Sequence, residues 1–234
     1  MTTILFPDIL HYILNDSDHY VSSMTTYDLC ARKAQTPKEY IRKSLNDFNI
    51  DEDIKNKCIS NILQNISVAN TLLSKLSPKF YEIPWSFVLF QGQYYEDGHP
   101  HTRFNSIFLP VSRCLYTNKN EQKDFVKTLI HEKIHLFQKL FTTDELMQTF
   151  MSSYEIVGNK NYLCPPLVRA NPDTNDYIYK NIHTNEILCF LYSSSQPSNI
   201  GDVMKLSNYE HPFETMSYTF AEFLINNLEK LPSL

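Results

Sequence analysis

From Asp51 onward, apolar residues recur at steps of three and four: Ile54, Cys58, Ile59, Ile62, Leu63, Ile66, Ala69, Leu72, Leu73 and Leu76. That spacing keeps one face of a helix apolar and predicts an amphipathic helix of about seven turns, closing near "LSPK". Upstream, "TPKE" (Thr36 to Glu39) has the form of a capping box with proline at the first helical position, so residues 1–80 read as a helical region.

At Trp85 the pattern changes. "WSFVLF" and "FNSIFLPV" are short runs of aromatic and branched residues, the composition of strands, and the polar stretch "QGQYYEDGHPHTR" between them reads as a loop. Helical spacing returns in "NEQKDFVKTLIHEKIHLFQKLF" through Phe125, Val126, Leu129, Ile130, Ile134, Phe137 and Leu140. "TTDE" (Thr142 to Glu145) opens a further helix expected to reach Gly158. Residues 159–210 look loop-rich, with "DYIYKNIHTNEILCFLY" able to fold back as a hairpin, and a last helix is expected from Pro212 to near Lys230. The expectation is an α+β fold in which a helical region, 1–80, packs on a part spanning 81–234 to form one compact unit.

Composition narrows the function classes. The net charge of −5 carries no basic stripe, which argues against nucleic acid. Only 4 glycines are present, and neither GxGxxG nor GxxxxGK[ST] occurs. Cys30, Cys58, Cys114, Cys164 and Cys189 are odd in number and contain no CxxC pair, against both a disulfide framework and a cysteine metal cluster. "MTTILFPDILHYILNDSD" lacks a basic start and a small-residue cleavage site, and no apolar run reaches the length of a membrane span. A soluble protein of the cytoplasm is expected, without membrane contact. The oligomeric state is not legible.

One stretch bears chemistry. "LIHEKIHLF" (Leu129 to Phe137) puts His131 and His135 four residues apart, hence on one helix face, where both imidazoles reach a single ion. Glu132 points about 100° away around the axis, near that ion without having to bind it. Catalytic zinc needs three protein ligands, an open position for water and a nearby carboxylate to take the water's proton. HExxH supplies two ligands and the base. Two polar rings in so apolar a helix are also costly unless something satisfies them.

The stretch resembles the HExxH zincin metallopeptidases, over roughly residues 85–140 plus the C-terminal helix. In those enzymes a substrate-binding edge strand precedes the motif helix, a role the resemblance gives to "FNSIFLPV". It implies Zn²⁺ as cofactor, a peptide or protein as substrate, and hydrolysis by metal-activated water. The extension HExxHxxGxxH is absent, since the chain reads "HEKIHLFQKLF", so a downstream glutamate becomes the expected third ligand, as in gluzincins. Glu155 and Glu214 compete. Glu155 has the spacing of thermolysin-like enzymes but not their flanking pattern. Glu214, in "YEHPFETMSYTFAEFLINNL", is similar to the ligand helix of ImmA/IrrE-like soluble zincins and is preferred.

Tyr218, one turn beyond Glu214, and His211, just ahead of that helix, are the candidates for stabilising the oxyanion. His99, His101 and Arg103 in "GHPHTR" precede the expected edge strand, and Arg169 opens the turn-rich "RANPDTNDY"; each is a weaker candidate for substrate contact. Two rivals stand beside the peptidase reading: a catalytically inactive zincin-fold binding or regulatory protein, and a SprT-like protease acting on DNA-bound protein, which the mild acidity disfavours.

Overall fold

The computed structural model describes residues 3–7, 10–160 and 167–227, so Cys164 and the expected end of the last helix near Lys230 lie outside the described residues. The class is mixed α+β. Its centre is a four-stranded sheet in the order β1-β2-β4-β3, formed by Ile4–Leu5, Trp85–Phe90, Ser106–Pro110 and His101–Arg103 respectively. β1 and β4 both run parallel to β2, and β3 returns antiparallel to β4.

Alternation along the strands explains how both faces are covered. Trp85, Phe87 and Leu89 of β2, with Ile107 and Leu109 of β4, point into one apolar cluster. Val88, Phe90 and Phe108 point into another on the opposite face. The first cluster is completed by three long helices, α4 (Glu52–Leu73), α6 (Lys119–Leu140) and α8 (Pro212–Asn226). The second is covered by the short helices α1 (Leu10–Leu14), α2 (Thr26–Ala31) and α3 (Pro37–Ser44) through Ile13, Leu29 and Tyr40. The helices of the first eighty residues are therefore divided between the two faces, and β1 joins the sheet itself. They do not form one region laid on the rest.

The expected helices α4 and α6 are present, and each starts on a side-chain cap: Asp51 accepts from Asp53 and Ile54 N–H groups, Asn118 from Asn120 and Glu121. "TPKE" works as half a box. Thr36 accepts from Glu39 N–H, but the Glu39 carboxylate reaches back to Gln35 N–H. The reciprocal box lies at Thr25 and Asp28, which the sequence reading passed over.

Three expectations are corrected. The "TTDE" helix, α7, spans only Glu145–Met151, and the chain then becomes strand β5 (Tyr154–Asn159). β5 pairs with β6 (Tyr177–Asn181), which forms the expected hairpin with β7 (Ile187–Leu188); β8 (Phe190–Tyr192) pairs separately with β9 (Val203–Lys205). Second, "FNSIFLPV" begins not as strand but as a two-residue turn, Phe104 and Asn105, with φ of 49° and 58°. Positive φ at both positions makes a turn whose twist matches the right-handed twist of the two strands it joins. Third, the stretch "HTR", read as loop, is β3, and it rather than β4 is the sheet's edge on that side. Among the described residues, no helix is long and apolar enough to cross a membrane. The four-residue helical turn α5 (Val111–Cys114) links β4 to the segment before α6.

Candidate metal centre

α6 is buried almost all round between residues 129 and 138. Leu129, Ile130, Ile134, Leu136 and Phe137 pack into the core, so the intervening Glu132, Lys133, His135 and Gln138 are buried as well. Each must find a partner or carry a large desolvation cost. Lys133 turns to the sheet, where its ammonium donates to Ile83 O (2.7 Å) and Pro84 O (2.9 Å) and lies 4.3 Å from the Trp85 ring centroid. The two histidines turn to α8.

α8 starts at Pro212, and His211 is its N-cap: Nδ1 accepts from Phe213 N–H (3.1 Å) while Nε2 meets Asn175 Oδ1 (3.0 Å). Glu214 in the first turn then faces α6. Its Oε2 lies 3.5 Å from His131 Nε2 and 3.7 Å from His135 Nε2, and the two imidazole nitrogens are 3.1 Å apart. Two ligand atoms on a tetrahedral ion with bonds of about 2.1 Å stand roughly 3.4 Å apart, so the three atoms fit one metal ion.

The tautomer supports that fit. Gln138 Nε2 donates to Phe213 O (2.9 Å), which fixes its amide and leaves Oε1 to accept from His135 Nδ1 at 2.8 Å. His135 Nδ1 thus carries the hydrogen, and in the neutral ring Nε2 presents a lone pair to His131 and Glu214. Lone pairs crowded this closely need a proton or a cation between them. Burial opposes charge on His135, yet the Asp173 and Glu214 carboxylates push it up to about 9. Burial lowers His131, and although burial raises it, Glu214 is held well below its usual range by His135 and His131.

Glu132 is 3% exposed, and its Oε2 has no hydrogen-bond partner. Burial first, and the Asp173 carboxylate second, push its carboxyl well above the usual range. It opens on a cleft of about 500 Å³ that also holds His131, Glu214 and Tyr218. Tyr218 forms part of the wall, its ring edge-on to His131 at 4.4 Å and stacked on Tyr209 at 5.3 Å. Burial pushes its phenol up to about 12, so it remains a hydrogen-bond donor.

Around Glu214 the sequence reading missed a chain of polar groups. Asn171 Nδ2 bridges Glu214 Oε1 (2.8 Å) and Glu210 Oε1 (2.7 Å), and Glu210 in turn takes both ends of the Arg169 guanidinium. Asp173 and Lys139 form a second group beside Glu132. Gln138 was within reach of sequence logic, because three residues after His135 is a neighbouring position on the same face. Asn171, Asp173 and Glu210 carry no such signal; only the fold brings them in.

The remaining candidates fall into place around this cluster. Glu155 does not join it: on strand β5 its side chain is 50% exposed and paired with Lys180 at 2.5 Å. His211 has both ring nitrogens committed to the helix cap and Asn175, which removes it from the oxyanion role. Arg103 is buried against Asp18, Asp16 and Tyr95 rather than facing the cleft. Arg169 lines the cleft but is neutralised by Glu210. His99 and His101 do line the cleft. Comparison with protein-family models, curated proteins and solved structures gives no match to this chain.

Proposed function

We propose that this chain is a zinc-dependent metallopeptidase in which His131, His135 and Glu214 hold the metal and Glu132 is the general base. One observation carries the reading: three ligand atoms 3.1, 3.5 and 3.7 Å apart, with a buried, unpartnered carboxylate oxygen on the residue next to the first histidine. When bound, zinc supplies a water of lowered pKa and a Lewis-acid contact for a carbonyl oxygen. Glu132 takes the attacking water's proton at Oε2 and passes it to the leaving amine as the peptide C–N bond breaks. Gln138 holds His135 in the binding tautomer, and Asn171 holds Glu214 by its outer oxygen. Tyr218 donates its hydroxyl to the oxyanion from the cleft wall.

On this reading the substrate is a peptide or an unfolded protein segment, and the helix carrying HEKIH is the motif helix of a zincin-like fold. We place the protein in a reducing compartment, the cytoplasm, where the thiols of Cys30, Cys58 and Cys114 are stable. A second reading, a non-catalytic zincin-like binding module, is favoured by one feature, the closed outer edge of β3 described below. Glu132→Gln separates the two. It should keep its zinc by elemental analysis and lose about 10²–10⁴ of the hydrolysis rate on a broad peptide library. Zinc-loaded native protein no faster than the variant moves the reading to the binding module.

A further inference from the structure

An edge strand takes up an extended peptide through the backbone groups that its own sheet leaves free. On β3 those groups can be identified. Arg103 pairs with Ser106 across the two-residue turn, and His101 pairs with Phe108, so both of these direct their N–H and C=O groups toward β4. Thr102 directs its own outward. Both are already occupied: Thr102 N–H donates to Asp173 Oδ1 at 2.7 Å, and Thr102 O accepts from Lys139 Nζ at 2.8 Å. The next outward position along the strand is Pro100, which has no N–H to offer.

The groups that close this edge are Asp173, within residues 170–174, and Lys139, at the end of α6. Asp173 also accepts from the Thr102 hydroxyl, and Lys139 donates to Pro172 O (2.9 Å), so the segment is clasped to β3 from two sides. The space around it is open. The cleft of about 500 Å³ at the metal centre follows β3 past His99, Pro100 and His101. A second cavity, of about 490 Å³, continues along Thr102, Arg103, Phe104 and Asn105. Ala170, Asn171 and Pro172 line both. Two cavities thus flank the segment where it crosses β3 at Thr102.

We propose that residues 170–174 form an autoinhibitory strap across β3, which a peptide must displace from Thr102 before it can lie along that strand and reach the metal centre. This rests on the peptidase reading. The strap also holds Glu214 through Asn171, so opening it loosens a ligand at the same moment that it frees the edge. Affinity for an extended peptide is reduced by the fraction of molecules in which the strap is closed, whereas a ligand that touches only the metal escapes that reduction.

The test compares two probes on the full-length, zinc-loaded protein: acetohydroxamate, which engages the metal alone, and the hydroxamate of acetylated tetra-alanine, which must also occupy β3. Asp173→Ala cuts the clasp without touching a metal ligand. It should tighten the peptide hydroxamate about tenfold or more beyond any change in acetohydroxamate, which reads the effect of the lost carboxylate on His135 and Glu132. Equal effects on the two probes overturn the strap. Binding of neither probe to either protein overturns the metal reading, and the strap with it. If Asp173→Ala does not fold, Lys139→Met cuts the other half of the clasp and carries the same expectation.

Discussion

Gln138 Oε1 stands 2.8 Å from His135 Nδ1, while the amide nitrogen of the same side chain is committed to Phe213 O. A residue that binds no metal therefore sets which nitrogen of His135 is available and ties α6 to the first turn of α8. Gln138→Leu removes both functions with little change in volume. Loss of such an orienting partner is expected to weaken zinc binding about 10–100-fold. It also leaves the buried His135 Nδ1–H without its closest acceptor, at a cost of about 1–3 kcal/mol in stability. Chelator competition and urea unfolding measure the two effects separately; unchanged zinc affinity would contradict the role assigned to Gln138.

Glu214 and Glu155 separate cleanly. Glu214→Gln is expected to lower zinc affinity by orders of magnitude, because one of three protein ligands loses its charge. Glu155→Gln removes only an exposed pair with Lys180, so stability should change by less than about 0.5 kcal/mol and zinc content not at all. Elemental analysis of the two purified variants decides it. Zinc lost from Glu155→Gln and kept by Glu214→Gln would reverse the assignment.

How much of this was legible before folding follows from the range of the forces involved. α4, α6 and α8 were readable because their apolar spacing and caps are local, and the pairing of His131 with His135 needs only one turn of helix. The choice of Glu214 came from its neighbours in sequence, and the fold brings that residue to the histidines. The setting of Glu155 on a strand is not legible, because "TTDE" marks where a helix starts and nothing local announces the switch to β5. The edge strand was misplaced by one hairpin. "HTR" is polar because Thr102 and Arg103 answer to Asp173, Asp18 and Asp16, partners from distant segments that no local pattern encodes. The same holds for Asn171 and Glu210.

Zinc binding should depend on pH through His135. Burial opposes its charge, but Asp173 and Glu214 raise it to about 9 in the metal-free protein. A histidine raised above its ordinary 6.5 adds stability that is complete below that value and is lost as pH climbs through 9. The proton that confers this stability occupies the lone pair a metal needs. Apparent zinc affinity is therefore expected to rise about tenfold per pH unit between roughly 7 and 9 and then level off. Titration with a buffered chelator across that range measures the slope. A flat profile would show that His135 carries no proton there.

Glu96 lines the cleft and joins it to Arg32 and Tyr40 of the region covering the opposite face of the sheet. Its carboxylate accepts from Arg32 Nε (3.0 Å) and Nη2 (2.6 Å), from the Tyr40 hydroxyl (2.7 Å) and from the Tyr20 hydroxyl (3.1 Å). The backbone at Glu96 sits at φ +48°, an uncommon angle for a non-glycine residue, so the surrounding bonds hold it there. Burial opposes ionisation, but Arg32 prevails and holds the carboxyl at about 2. A depressed acid contributes stability above its ordinary value of 4.5 and loses it as pH falls toward 2. Glu96→Gln would leave the Arg32 guanidinium buried with only Asp28, 3.7 Å away, as counter-charge. Stripping one partner from a buried pair costs about 3–5 kcal/mol, and the remaining Asp28 puts this case at the lower end. The deficit should be full in urea unfolding at pH 7 and should shrink at pH 3, where the native carboxylate is itself losing its advantage. A loss under about 1 kcal/mol at pH 7 would mean that Arg32 finds other acceptors and that Glu96 does not brace the cleft.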